Sequence, residues 1–175
     1  FMARVKLLEK EEVDPMVAQI FQKTEDSGGE VINLMKALAH SPKICRDFNR
    51  MGITLLLKGD LSPRLRELAI LRVGDLARAN YEWTKNVPIL LEAGANQGQI
   101  DDLPNWSGST RFDEQEQAVL QYTDEVVRNI KASQETFNKI AAFLSAKEIV
   151  ELTVTIGYYG MVCRVLETLE IQLEN

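Results

Sequence analysis

Along almost the whole chain, apolar residues recur at the three-to-four-residue spacing of a helix, and no stretch keeps the period-2 alternation of a half-buried strand for more than a few residues. That regularity removes sheet architectures and predicts an all-α fold, a helical bundle of about seven or eight helices. A chain of 175 residues, 45% of them hydrophobic, can bury a core of its own, so residues 1–175 are expected to form one domain.

Capping signals divide the pattern into helices. Asp14 with Pro15 starts a helix that Gly28-Gly29 ends, and Val31 to Ala39 forms a short one. Ser41-Pro42 opens a helix to about Leu57, and Ser62-Pro63 repeats the signal for one through Arg78. Asn80 is expected to cap a helix from Tyr81 to Ala93, with a tight corner at Ala79 and Asn80. A short helix near Gln97 to Leu103 leads into a loop, Pro104 to Arg111, readable as a lid or as a connection. Asp113 with Glu116, Ser133, and Ser145 with Glu148 start the last three helices, the final one reaching about Leu173. Gly157 and Gly160 fall inside that helix, where glycine costs roughly 1 kcal/mol against alanine, and imply a close approach by another helix or by a ligand. A faint internal echo relates the stretch through Leu61-Ser62 and Glu67-Leu68 to that through Leu144-Ser145 and Glu151-Leu152.

Charge and cysteine usage narrow the function classes. Twenty Lys and Arg against 26 Asp and Glu, scattered along the chain, give a net charge of -6 and speak against nucleic acid as a partner. Cys45 and Cys163 are the two cysteines and His40 the one histidine, so there is no CxxC, no disulfide framework and no zinc cage; neither a metal nor a cofactor is expected. A reducing cytoplasm fits that usage. No apolar run at the N-terminus suits a signal peptide, and nowhere do about 18 uncharged apolar residues follow one another, so no membrane association is expected. Asn105-Trp106-Ser107 matches a glycosylation sequon that, without export, has no use.

The chemistry-bearing stretch is residues 61–96. Glu67 sits in an apolar helix and Glu82 just past the corner, and two carboxylates brought together with partial burial acquire the split proton affinities that acid and base roles need. The bland alternative pairs Glu67 with Arg64, Arg66 or Arg72 and leaves Glu82 facing water near its helix N-terminus. Tyr81 and Trp83 lie where free backbone N–H groups could attract a carboxylated ligand, although core packing also suits Trp83. Tyr158 and Tyr159 could line the same cavity or a subunit seam.

R-E-L-A-I-L-R-V (66–73), A-x-Y-E-W (79–83) and an A-G-A stop (93–95), followed by G-Y-Y-G-M-V-C-R-V-L-E (157–167), resemble the carboxymuconolactone decarboxylase family, which includes alkyl hydroperoxidase D-like proteins. The resemblance implies an alkyl hydroperoxidase D-like helical bundle and a homo-oligomer, a trimer or hexamer. The thiol branch of that family carries a glutamate, eleven residues, C-x-x-C, three residues and a histidine; counted from Glu67, those places here hold Ala79, Glu82 and Asn86. The decarboxylase-like branch, lacking CxxC, resembles Y-E-W-x-x-H, and here Tyr81-Glu82-Trp83 matches while the histidine place is again Asn86. An amide can orient a carboxylate or polarise a carbonyl, but it cannot act as general acid or base.

The resemblance therefore implies a decarboxylase-like lyase acting on or binding a small anionic or lactone-type molecule. Glu67, Glu82 and Asn86 are its catalytic candidates, and Tyr81, Trp83 and His40 its substrate-binding candidates. His40, in the last turn of a helix, fits equally a structural role on carbonyl groups. Two alternatives stand beside this reading: a peroxidase-related antioxidant protein using an isolated Cys163 or Cys45, and a diverged protein that binds or assembles without turnover.

Overall fold

The computed structural model describes residues 3–174, and every regular element among them is helical. The α-helices are α1 (Pro15–Asp26), α2 (Asn33–Leu38), α3 (Pro42–Leu57), α4 (Pro63–Ala77), α5 (Asn80–Glu92), α6 (Gln97–Asp102), α7 (Glu114–Asn129), α8 (Gln134–Ala141) and α9 (Ala146–Leu169). Short 3-10 segments occupy Lys10–Glu12 and Leu103–Gly108. These elements among the described residues correspond one for one to the segments that the capping signals delimit, the short α2 and α6 included, and so exceed by one the overall expectation of seven or eight.

Most of the capping signals act as the sequence indicates. Asp14 accepts from the Met16 N–H at 2.9 Å ahead of Pro15, Asp113 and Glu116 form a reciprocal capping box, and Ser133 accepts from the Thr136 N–H at 3.2 Å. Ser145 and Glu148 satisfy each other's backbone N–H groups at the start of α9. Two expected caps are absent. Ser62 makes no side-chain cap, and Asn80 lies inside the first turn of α5, with Ala79 at the cap position. The corner there closes too tightly to leave Asn80 outside: Arg78 takes a left-handed conformation at φ 56°, and the Ala79 N–H returns to the Gly74 carbonyl at 2.9 Å. At the other end of the chain α9 stops at Leu169, before the expected Leu173, because Glu170 turns left-handed at φ 53°.

By its contacts the chain divides into two compact units. One comprises the described residues through Leu57 together with those from Val165 onward. There α1 and α2 pack on α3, and Val17, Phe21, Ala39 and Cys45 form a core flanked by Leu8, Val13 and Met35. The backbone N–H of Arg4 donates to the Leu169 carbonyl at 2.8 Å, tying the two chain segments of this unit together.

The other unit is Lys58–Arg164. Its axis is α4, buried at every position from Leu65 to Gly74, against which α5 and α7 pack. A helix covered on all sides cannot keep a polar stripe, so its charged residues need partners. Arg72 finds Asp124 at 2.5 and 2.9 Å, Asp75 at 2.6 Å and the carbonyls of Leu103 and Pro104 at 3.2 and 3.1 Å; Arg64 finds Glu116 at 2.5 Å and Gln99 at 2.9 Å. The Arg72 contacts also pin the segment expected as a loop, which winds into 3-10 turns through Trp106 and carries Trp106 Nε1 to 3.4 Å from Asp124.

α9 departs from expectation in two ways. By length and composition alone it could cross a membrane, although its Leu152, Ile156, Val162 and Leu166 are buried here. Its glycines mark no close approach within the chain: a Cβ on Gly157 would meet nothing within 4 Å, and one on Gly160 would meet Arg164 Nη1 at 3.1 Å.

Candidate active site

Seven residues separate Glu67 from Gly74, two helical turns, so both lie on the same face of α4. Gly74 brings α5 close: a Cβ there would stand 3.3 Å from Glu82 Cβ and 3.7 Å from the Trp83 nitrogen. The glycine thus sets the third residue of α5 against the central helix. Glu82 is 5% exposed and Glu67 fully buried, so the picture of Glu82 facing water does not hold.

The two carboxyls are partnered differently. Glu67 Oε1 accepts from Arg66 Nε at 3.0 Å, while Glu67 Oε2 is buried with no hydrogen-bond partner among the described residues. Of the three arginines the sequence offers, Arg66 is therefore the one Glu67 takes. Burial raises the Glu67 carboxyl above its ordinary range, and Arg66 opposes the rise only in part. Glu82 Oε2 accepts from Asn86 Nδ2 at 2.8 Å, and the same nitrogen donates to the Glu82 carbonyl at 2.8 Å. Because that carbonyl can only accept, the amide orientation of Asn86 is fixed. Burial pushes the Glu82 carboxyl up to about 7; Asn86 pulls it down and the Glu67 charge pushes it further up.

Tyr158 and Tyr159 of α9 face the same carboxyls. Their rings meet edge to face, with centroids 5.4 Å apart and planes at 73°. Burial first, then the charge of Glu82, raises both phenols, and Tyr159 responds also to Glu67 and Arg66. The unit Lys58–Arg164 thus brings together Glu67, Glu82, Asn86, Arg66 and the two tyrosines.

The remaining candidates are placed otherwise. Tyr81 is buried beneath the Lys85 ammonium, 5.9 Å from its ring centroid, and Trp83 is half-buried. His40 belongs to the other unit, exposed, with Nε2 donating to the Lys6 carbonyl at 2.8 Å, in keeping with the structural role. Both thiols are buried and form no disulfide, and burial pushes Cys45 up to about 11. A separate open cleft of about 550 Å3, lined by Trp106, Gln117, Gln121, Lys139 and Phe143, contains none of the candidates. Among the described residues no three His, Cys, Asp or Glu side chains converge to hold a metal ion.

The sequence reading did not identify Gly74, whose only signal is a glycine inside an apolar helical stretch, and it gave Arg66 no role beyond pairing. The echo glutamate Glu151 shows what an ordinary structural carboxylate does in this unit: it accepts from the backbone N–H groups of Asp60 and Leu61, each at 2.8 Å.

The sequence of residues 42–125 matches the carboxymuconolactone decarboxylase family. No curated protein matches the chain. Several solved structures share its fold. A peroxidase-related protein with an alkylhydroperoxidase AhpD core from Ralstonia eutropha JMP134 superposes with a TM-score of 0.86 at 18% identity, over 100% of this chain and 94% of its own. A peroxidase-related protein from Silicibacter sp. TM1040 gives 0.82 at 16% identity, over 98% and 92%. A Cys-to-Ala variant of the debrominase Bmp8 in complex with 2,3,4-tribromopyrrole gives 0.80 at 17% identity, over 99% and 94%. At these identities the likeness carries the fold and leaves the chemistry to the site.

Proposed function

We propose that this chain, whose residues 42–125 belong to the carboxymuconolactone decarboxylase family, is a proton-transfer enzyme acting on a small anionic or lactone-type organic molecule through Glu67 and Glu82. The observation that carries the reading is Glu82, a carboxyl buried beside a second carboxyl, oriented by Asn86 and titrating at about 7. A group poised there is available as acid and as base at neutral pH. In the forward step a carbon–carbon bond to a carboxylate breaks, carbon dioxide leaves, and the electron pair remains on the carbon as an enolate-like anion. Glu82 in its acid form gives that carbon a proton and becomes the carboxylate. The positive end of the α5 dipole favours the developing charge.

Solvent deuterium incorporation at the acidic carbon of carboxylated lactones and keto acids, followed by proton NMR, tests the reading without a known substrate. We expect exchange by the wild type and its loss in both Glu67→Gln and Glu82→Gln. Exchange unchanged in the double variant removes the assignment.

Thiol peroxidase chemistry gains no support from two buried thiols. A homo-oligomer of three or six chains remains part of the proposal, supported by the apolar residues Val150, Val154 and Met161 that α9 leaves exposed around Gly157.

A further inference from the structure

The three arginines of α4 differ in how fully their forks are used. Arg72 bonds through all three nitrogens, to Asp124, to Asp75 one turn on and to two backbone carbonyls, and Arg64 through two, to Glu116 and Gln99. Arg66 is 8% exposed, yet among the described residues its bonding is the single contact from Nε to Glu67 Oε1. Of the five N–H donors of a guanidinium, the four on the terminal amino groups have no partner among the described residues, and neither terminal nitrogen is fully closed off from solvent. A guanidinium held in place by a largely buried side chain, with its terminal amino groups open and unpaired, can receive an acceptor from outside the chain. Beside them lies a second unmet group, Glu67 Oε2, fully buried and without a hydrogen bond.

We propose that the terminal amino groups of Arg66 dock the carboxylate of a small monoanionic ligand against the Glu67–Glu82 pair. The inference rests on the proton-transfer reading of that pair and adds the class of molecule it serves. The planar fork of Arg66 matches a carboxylate in two parallel hydrogen bonds. Charge favours a monoanion: both carboxyls are raised above their ordinary range, so the pair carries less than its full double charge near neutral pH, and the charge that remains repels a phosphate dianion more strongly than a monoanion. The groups facing Glu82 are Glu67 of α4, which carries Arg66 on its other side, Asn86 of its own helix, and the phenols of Tyr158 and Tyr159. An anion seated on Arg66 raises the proton affinity of Glu82, so binding takes up a proton and weakens as pH rises through about 7.

The test is calorimetric titration of the full chain with acetate, benzoate and paraconate, a saturated γ-lactone carrying one carboxylate. Their amides and inorganic phosphate serve as counterparts, at several values between about pH 5.5 and 8.5. We expect at least one carboxylate to bind, its amide and phosphate to bind at least about tenfold more weakly, and Arg66→Met to lose at least about tenfold. Arg66→Lys, which keeps the charge without the fork, should fall between, and it guards against a fold defect in the methionine variant. The proposal is overturned if no carboxylate binds the wild type, if amide or phosphate binds as well, or if Arg66→Met binds unchanged. The two readings fail separately. Amide binding equal to the acid, with a pH dependence that Glu82→Gln removes, discards the docking role and keeps the acid–base pair. Arg66-dependent binding that is flat with pH and indifferent to Glu82→Gln does the reverse.

Discussion

Replacing Glu82 with glutamine keeps the size of the side chain and an acceptor for Asn86 Nδ2, and removes the titration. In the unfolded chain this carboxyl titrates near its ordinary 4.5, and in the folded protein at about 7. Below the lower value both states hold the proton and the group adds no pH dependence. Between the two values the unfolded state releases its proton first, so folded-state stability falls as pH rises; above the upper value both states are ionised and the loss is complete. A carboxyl displaced this far, and 5% exposed, gives up about 3 kcal/mol across that window. The unfolding free energy of Glu82→Gln minus that of the wild type should therefore grow by about 3 kcal/mol from about pH 4.5 to pH 8. Part of the gain comes through Glu67, whose own charge is easier to bear once its neighbour is neutral. Urea unfolding followed by circular dichroism, at one fixed protein concentration so that any assembly contributes equally, measures the difference. A difference flat with pH would mean that Glu82 is solvated, and the acid–base reading would fall with it.

Asn86→His should bring Glu82 down from about 7, because an imidazolium replaces a neutral donor; NMR titration of the Glu82 carboxyl reads the direction. Gly74→Ala places a Cβ 3.3 Å from Glu82 Cβ, a backbone-anchored atom that yields only if α5 shifts, so we expect a loss of about 1–3 kcal/mol in urea unfolding despite the better helix propensity of alanine. Gly157→Ala meets nothing in the chain and should stabilise by up to about 1 kcal/mol; a loss that tracks a fall in subunit number by light scattering would instead place a second copy against that glycine. Cys45 and Cys163, both buried, should react with an aromatic disulfide reagent at pH 8 far more slowly in the native protein than in urea, and a fast native thiol would reopen peroxide chemistry.

Local signals in this chain are read well and remote ones poorly. Asp14, Asp113, Ser133 and Ser145 cap as their neighbours imply, since a cap depends on residues within one turn. Asn80 fails because the backbone of Arg78 and Ala79 closes the corner before its side chain can serve. The pairing of Glu67 with Glu82 was legible as two carboxyls across a tight turn, whereas the burial of Glu82 was not: a glutamate in a first turn ordinarily meets water, and only the contact across Gly74 takes this one inside. Choosing among Arg64, Arg66 and Arg72 likewise needed the fold, because Glu116 and Asp124, each 52 positions away, take the other two.

Counted from Glu67, Glu82 occupies the place of the second cysteine in the thiol motif that the family resemblance brings, and its position in α5 explains how one scaffold accommodates either group. The third residue of a helix feels the positive end of the helix dipole, which favours the ionised form of whatever acid stands there, thiol or carboxyl. A thiol needs that help to become a nucleophile. A carboxyl is ionised in water without it, so here burial and the charge of Glu67 do the opposite work, lifting the group to about 7 against the pull of Asn86. A histidine at residue 86 would add a second titrating group in the same pH range; an amide leaves the proton with the carboxyls. With Ala79, Glu82 and Asn86 at those three places, this corner holds no thiol and keeps an acid that is half ionised near neutral pH.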